Sequence, residues 1–299
     1  MHTWMRVEPL EVAVARLARY GYDAVQIGVE PDRGDPREVR RLLKRHGIHC
    51  CGCATLMTEG RDLISPDPEV RRATVRYIHD CVTMAHELGG EFVCVVPSTV
   101  GKTVPRADTE QEWRWAIESL SRCAEWAERQ AVKLGLEPIN RFETYFLNRS
   151  DQAIALAAAV GSPQMGVILD AFHLNIEEAD PLDAIRQAGP RLIDFHVADT
   201  NRRPPGEGAY DWFKVIGALR TAGYAGHLSS EFVLPMDRTP VNAPPFGGAG
   251  SMSVSDDPYL RAHASGDVSA AYYDWCVEHT IAYLRRVLAG PAELSTVRS

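Results

Sequence analysis

Residues 165–200 read MGVILDAFHLNIEEADPLDAIRQAGPRLIDFHVADT, and this stretch predicts a strand, a helix and a second strand in succession. Residues 165–172 and 192–198 are nearly continuous apolar runs, as expected of strands buried on both faces of a parallel sheet. Between them, Asp180 and Pro181 supply an N-cap and a proline at the first position of a helix. The stretch therefore predicts one βαβ unit.

The same alternation extends along the chain in both directions. Asp35-Pro36 and Asp67-Pro68 repeat the signal for a helix start. Further strands are predicted at residues 24–30, 48–54, 91–96, 135–140 and 226–232, and a weaker first strand at about residues 2–6 makes eight. Eight such units imply a (β/α)8 TIM barrel, formed as a single domain over residues 1–299. The alternative is a doubly wound open sheet, which normally carries a glycine-rich phosphate loop that this sequence lacks.

Residues 234–268 interrupt this alternation. They contain the run PMDRTPVNAPPFGGAGSMSVSDD, whose content of Pro, Gly, Ser and Asp predicts an irregular loop. Because the run leaves the last predicted strand at the end where barrel active sites lie, we interpret it as a loop that covers the substrate. One helix, at about residues 270–288, follows it.

The composition is that of an ordinary globular protein, with 45% hydrophobic and 24% charged residues in 299. A net charge of −8 without a basic cluster argues against a nucleic-acid partner. No apolar run reaches about 18 residues, so no membrane segment is expected. The seven cysteines are interpreted as small apolar residues in a reducing cytoplasm, and a zinc site at Cys50, Cys51 and Cys53 is the alternative.

Four residues with metal-binding side chains fall near the carboxyl ends of four successive predicted strands. Charged residues within apolar strands are costly without partners, so their joint occurrence indicates a shared site. The carboxyl ends of barrel strands converge on one face, which brings distant positions together. Three carboxylates and an imidazole suit a divalent ion such as Mn²⁺, Co²⁺ or Mg²⁺. The predicted ligands are Glu137, Asp170, His196 and Glu231.

Three segments around these residues carry a family resemblance. The segments LEPINRFE (residues 136–143), LDAFHLNIEE (169–178) and HVADTNRRPPGEG (196–208) resemble those of the ketose 3-epimerases. This is the D-tagatose/D-psicose group of the xylose-isomerase-like sugar isomerase/epimerase barrels. The resemblance covers about residues 48–232 and implies one Mn²⁺ or Co²⁺ ion on the four ligands. It also implies that Glu143, His173 and Arg202 hold the hydroxyl and carbonyl groups of the sugar, and that the protein is a homodimer or homotetramer.

The activity implied is C3 epimerisation of a free ketose through an enediolate. A cation polarises the carbonyl and stabilises the developing negative charge. One carboxylate takes the C3 proton and another returns a proton on the opposite face, which inverts the centre. Glu137 and Glu231 come from well-separated strands and are the candidates for this catalytic pair.

The chain departs from the family pattern at three places. Ala171 stands where the family usually has Thr, Phe232 follows Glu231 without an intervening Pro, and the insertion after Leu234 is long. An alternative enzyme is a metal-dependent lyase that resembles the catalytic subunits of C-glycoside deglycosidases, acts on 3-keto glycosides and requires a small partner subunit.

Two other classes of protein fit the sequence less well. An endonuclease IV-like DNA repair enzyme would share the barrel, but it needs several more histidines at the strand ends. The remaining histidines, including His2, are predicted to lie mostly on helices or away from the rim. A non-catalytic sugar-binding barrel would not need both Glu137 and Glu231.

Overall fold

A computed structural model describes residues 1–3, 5–6, 8–30, 34–234 and 268–290. Helices and strands alternate along these residues. The strands are β1 (Ala24–Val29), β2 (His49–Thr55), β3 (Phe92–Val95), β4 (Lys133–Leu136), β5 (Met165–Asp170), β6 (Leu192–Val197) and β7 (Leu228–Ser230). The helices are α1 (Leu10–Tyr20), α2 (Pro36–His46), α3 (Pro68–Leu88), α4 (Thr109–Gln130), α5 (Ser150–Val160), α6 (Ala171–Glu177), α7 (Pro181–Ala188), α8 (Trp212–Thr221) and α9 (Ala270–Ala289). The predicted covering loop at 234–268 lies, apart from its two end residues, outside the described residues.

The seven described strands form one parallel sheet in the order β1 to β7, which confirms the predicted barrel class. Residues 1–3 nearly close the sheet between β1 and β7. The Gln26 amide donates to the Met1 carbonyl oxygen at 2.9 Å, and the His2 amide donates to the Ser230 carbonyl oxygen at 3.1 Å. Within the predicted first strand at about residues 2–6, the described residues form a bridge between His2 and Gln26, and Thr3 is the last of them with a backbone hydrogen bond to β1.

The Asp-Pro pairs begin helices as predicted. Asp35, Asp67 and Asp180 each accept a hydrogen bond from the backbone at the first turn of the following helix, and a proline occupies its start. The sequence did not predict α6. Its start lies in the predicted strand 165–172, because the Asp170 carboxylate accepts from the Phe172 amide at 2.6 Å and caps a helix there.

In the barrel interior, large side chains pack against glycines of neighbouring strands. Phe92 and Cys94 alternate along β3 with Val93 and Val95, which face the helices. A Cβ atom added to Gly135 would lie 2.4 Å from a side-chain carbon of Ile168. Such close approach requires glycine at position 135, where the Ile168 side chain packs directly against the backbone of β4. No described helix has both the length and the apolar composition to cross a membrane.

A candidate metal centre at the carboxyl end of the barrel

The four predicted ligands meet at the carboxyl end of the barrel. Glu137 directly follows β4, Asp170 ends β5, His196 lies in β6 and Glu231 directly follows β7. One ligand atom from each lies within 4.8 Å of the others, and all four side chains are buried. Backbone bonds hold the two glutamates, since Glu137 donates to the Val95 carbonyl oxygen and Glu231 to that of Val197.

His196 lies between the two glutamates. Its Nδ1 is 2.9 Å from Glu137 Oε1 and 2.6 Å from Glu231 Oε2. Its Nε2 is 3.4 Å from Asp194 Oδ2, which also accepts from Ser229 Oγ at 2.7 Å. A carboxylate beside the second ring nitrogen is the usual way to orient a histidine that binds a metal through the first.

The buried charges perturb one another. Burial raises the pKa of Asp170 well above its ordinary value, and the Glu231 carboxylate adds to this; burial also raises the pKa of Glu231. Burial acts to raise the pKa of Glu137, but the positive charge and hydrogen bond of His196 outweigh it and lower that pKa to about 2. Burial acts to lower the pKa of His196, and the Glu231 and Glu137 carboxylates raise it well above its ordinary value.

These residues fit a divalent cation. Asp170 Oδ2 is buried and has no hydrogen-bond partner among the described residues. The raised pKa values of Asp170 and Glu231 indicate that the imidazolium of His196 does not supply enough positive charge for all three buried carboxylates to be ionised. A hard or borderline divalent ion would satisfy the Asp170 oxygen and supply the missing positive charge.

The three predicted substrate residues lie beside this cluster. Arg202 Nη1 donates to Glu143 Oε1 at 2.9 Å, and Arg202 Nη2 lies 3.8 Å from Glu231 Oε1. The guanidinium carbon is 4.8 Å from the centre of the Phe172 ring. Asn140 Nδ2 also donates to Glu143 Oε1, at 2.8 Å. The Arg202 guanidinium and the Glu143 carboxylate therefore form a polar pair beside the cluster.

His173 is held as a neutral donor. Its Nδ1 accepts from the Asn140 backbone amide at 3.2 Å, so the proton of the neutral ring must lie on Nε2. Burial and, next, the charge of Arg202 lower the pKa of His173 to about 4. At neutral pH the ring can thus donate a hydrogen bond to a sugar oxygen.

Asp199, which the sequence analysis did not single out, organises the loop that carries Arg202. Its carboxylate accepts from the amides of Gly206 and Tyr210 and from the indole of Trp212. Arg202 itself has a φ of 60°, and its amide donates to the Asp199 carbonyl oxygen at 2.8 Å. The left-handed backbone at a non-glycine residue indicates that the loop conformation is imposed by these contacts.

His2 corrects the expectation that the other histidines avoid the rim. Its Nε2 lies 3.1 Å from Glu231 Oε2 and 3.2 Å from His196 Nε2. Burial and, next, the charge of His196 lower the pKa of His2 well below its ordinary value. The weak first strand gave no sequence signal that would place this ring in the site.

Among the cavities lined by the described residues, two lie at opposite ends of the barrel. A cavity of about 30 Å³ at the carboxyl end is lined by Glu137, Glu143, His173, Arg202 and Glu231 among others. This is room for an ion or a single water. A cavity of about 400 Å³ opens at the amino end, between the starts of β1 and β7 and the helices α8 and α9. It contains none of the clustered carboxylates, whereas Glu137 and Glu231 line the small cavity.

A parallel βα barrel with three carboxylates and a histidine at its carboxyl end defines a class of enzymes that hold a divalent metal at that end. The profile of the xylose isomerase-like TIM barrel family matches residues 14–242, and the chain belongs to that family. The resemblance seen in the three sequence segments is thereby confirmed.

Its relatives include sugar epimerases. The chain is 36% identical over 222 residues to the D-psicose 3-epimerase of Enterocloster bolteae, covering 71% of this chain and 72% of that protein. It is 28% identical over 292 residues to the D-psicose 3-epimerase of Agrobacterium fabrum, covering 93% of each. A solved structure of a D-psicose 3-epimerase in the presence of D-fructose is 26% identical, with a TM-score of 0.80 over 96% of each chain.

Proposed function

We propose that this protein is a metal-dependent ketose 3-epimerase that acts on a free sugar, with Glu137 and Glu231 as the two proton-transferring groups. The observation that carries the proposal is the placement of these two carboxylates. They enter the site from β4 and β7, on either side of the barrel opening, and both contact His196 Nδ1. They also line the same small cavity.

Glu137, Asp170, His196 and Glu231 would hold the metal, for which we propose Mn²⁺ with Co²⁺ or Mg²⁺ as substitutes. When bound, such an ion supplies Lewis-acid polarisation of the ketose carbonyl and balances negative charge on oxygen. The donor set of three carboxylates and one imidazole supports this assignment.

The two glutamates would move the protons. One carboxylate takes the proton from C3 of the ketose, and the electron pair of that C–H bond passes into the enediolate. The carboxyl group of the other glutamate then gives its proton to the opposite face of C3. The carbonyl re-forms, so the only net change is inversion at C3.

The neighbouring residues would fix the sugar between these groups. Arg202 and the Nε2–H of His173 are donors that suit carbonyl or hydroxyl oxygens, and Glu143 is an acceptor that suits a sugar hydroxyl. Arg202 and Glu143 are already bonded to each other at 2.9 Å. This pre-organisation reduces the entropy that substrate binding would otherwise lose.

We further propose that the protein works in the cytoplasm as a homodimer or homotetramer on a small sugar, without a nucleic-acid partner. The net charge of −8 supports the last point, because a phosphate backbone would be repelled.

The decisive experiment is proton exchange in D₂O with Mn²⁺-loaded protein and a panel of ketoses that includes tagatose, psicose, fructose and ribulose. We expect deuterium at C3 together with the epimer. Early product should carry solvent deuterium, since the second glutamate delivers a proton equilibrated with solvent. No exchange from any free ketose, in protein shown to hold metal, would overturn the proposal. Turnover of a 3-keto glycoside only with a small partner subunit would instead identify the lyase.

A further inference from the structure

Cys94 lies beside the proposed metal site without belonging to its four ligands. It projects from β3 toward the barrel interior and is buried. Its Sγ donates to Glu137 Oε2 at 3.1 Å. Donor atoms of Cys94, Glu137 and His196 all lie within 4.8 Å of one another. The barrel therefore presents a second group of three metal donors that shares two residues with the first.

The two groups differ in chemical softness. The first offers three carboxylates and an imidazole, which suit hard or borderline ions such as Mn²⁺ and Mg²⁺. The second replaces two carboxylates by a sulfur, and sulfur ligands favour thiophilic ions such as Zn²⁺. Independently of Cys94, the unpartnered and buried Asp170 Oδ2 indicates that this part of the barrel is built around a cation.

We propose that Cys94 turns this centre into a capture site for thiophilic divalent ions, held by Cys94, Glu137 and His196. Such an ion would lie deeper in the barrel than the ion proposed for catalysis. Because Glu137 and His196 serve both donor groups, the two ions exclude each other. Coordination requires the thiolate, so Cys94 would release its proton to solvent on binding.

The functional consequence is inhibition by thiophilic metals. An ion at the deeper position would be coordinated by Glu137, one of the two groups that the proposed function assigns to proton transfer. Glu231 would then have no metal ion to bind. Zn²⁺ or Cd²⁺ should therefore inhibit the activity that depends on Mn²⁺. This consequence rests on the proposed function, whereas the capture site itself can be tested without turnover.

The test titrates Cd²⁺ and Mn²⁺ into metal-free protein and into two matched variants. Cys94→Ser keeps a hydroxyl that can donate to Glu137 but removes the sulfur. Cys51→Ser removes a sulfur from the same interior cluster, at a cysteine outside every described group of metal donors. We expect a thiolate-to-cadmium charge-transfer band in the wild type and in Cys51→Ser. Cys94→Ser should lack this band, and its preference for Cd²⁺ over Mn²⁺ should fall by about tenfold or more.

Cadmium NMR of the wild type provides a measurement that needs no variant, because the ¹¹³Cd shift reports sulfur ligation directly. Absence of sulfur ligation in that spectrum, or an unchanged Cd²⁺-to-Mn²⁺ preference in Cys94→Ser, would overturn the capture site. Sulfur ligation in a protein that epimerises no ketose would support the capture site and count against the proposed function alone.

Discussion

The two ends of the barrel differ in what fills them, although the same strands run through both. At the carboxyl end, buried carboxylates and a histidine crowd together within 4.8 Å. Toward the amino end, Phe92, Ile168 and Ile193 pack against Gly52, Gly135 and Gly166 and form an apolar cluster in the interior. The apolar end stabilises the barrel, whereas the charged end costs stability unless a cation balances it.

This difference indicates that the carboxyl end carries the function and the amino end the stability of the barrel. Substitutions at each end can test the two properties separately. Changes at the carboxyl end should alter chemistry and metal affinity while the metal-free fold survives. Changes at the amino end should alter the free energy of unfolding while each correctly folded molecule works normally. Such a division is common in barrel enzymes, where the carboxyl face carries function and the opposite face carries stability.

The largest effect is expected from Glu231→Gln. It removes a proposed proton-transferring carboxylate and a metal ligand, so turnover should fall by about 10²- to 10⁴-fold, and metal affinity should weaken. Steady-state kinetics and metal analysis of the dialysed protein measure both. Glu91→Gln is the control, because Glu91 lies in solvent at the amino end and should affect neither quantity. Full activity in Glu231→Gln would remove the basis of the assigned site.

Much of this carboxyl end could be predicted from the sequence. Charged residues near the ends of four apolar strands are costly without partners, and a barrel brings strand ends together. Asp-Pro pairs marked three helix starts because both residues act locally, through a side-chain cap and a fixed φ. Local signals of this kind do not depend on the rest of the fold.

The supporting residues could not be predicted because their roles depend on tertiary contacts. Asp199 reads as an ordinary loop residue until Gly206, Tyr210 and Trp212 are seen to donate to it. Asp194 did carry a signal, since it lies two residues before His196 and alternate residues of a strand share a face. His2 carried none.

A smaller effect at the same end is expected from Arg202→Ala. Loss of a charged hydrogen bond to the sugar should raise KM by about 10- to 100-fold, while metal content stays normal. Arg203→Ala is the matched control, because the contact that places Arg203 in the loop runs through its carbonyl oxygen to the Asp199 amide. If metal content collapsed in Arg202→Ala, the guanidinium would have to support the ligands rather than the substrate.

At the amino end, Gly166→Ala should destabilise the protein without impairing catalysis. The new Cβ atom would lie 2.5 Å from the Arg191 carbonyl oxygen and 2.7 Å from Ile193 Cδ1. Overpacking of this kind costs about 1–3 kcal/mol, measurable by denaturant unfolding of metal-free protein. Gly217→Ala, in α8 with no atom within 4 Å of the added Cβ, should instead be neutral or stabilising. Reduced kcat in folded, metal-loaded Gly166→Ala would contradict the division between the two ends.

The smallest effect is a pH dependence of metal affinity at the carboxyl end. Burial acts to lower the pKa of His196, but Glu231 and Glu137 raise it well above its ordinary value, so the metal-free protein holds a proton there at neutral pH. A metal needs the neutral ring and must displace that proton. Affinity should therefore rise with pH until the raised pKa is passed, and fall by about tenfold per pH unit below it.

The pKa of Glu137, lowered to about 2, keeps that carboxylate ionised throughout this range, so it adds nothing to the pH dependence. Calorimetric titration of Mn²⁺ in two buffers of different ionisation enthalpy should show release of about one proton or more per metal. An affinity that stays constant between about pH 6 and about pH 8, with no proton released, would mean that His196 is neutral before the metal arrives. In that case the two glutamates would have to be balanced by another cation, and Arg202 at 3.8 Å from Glu231 would be the residue to substitute next.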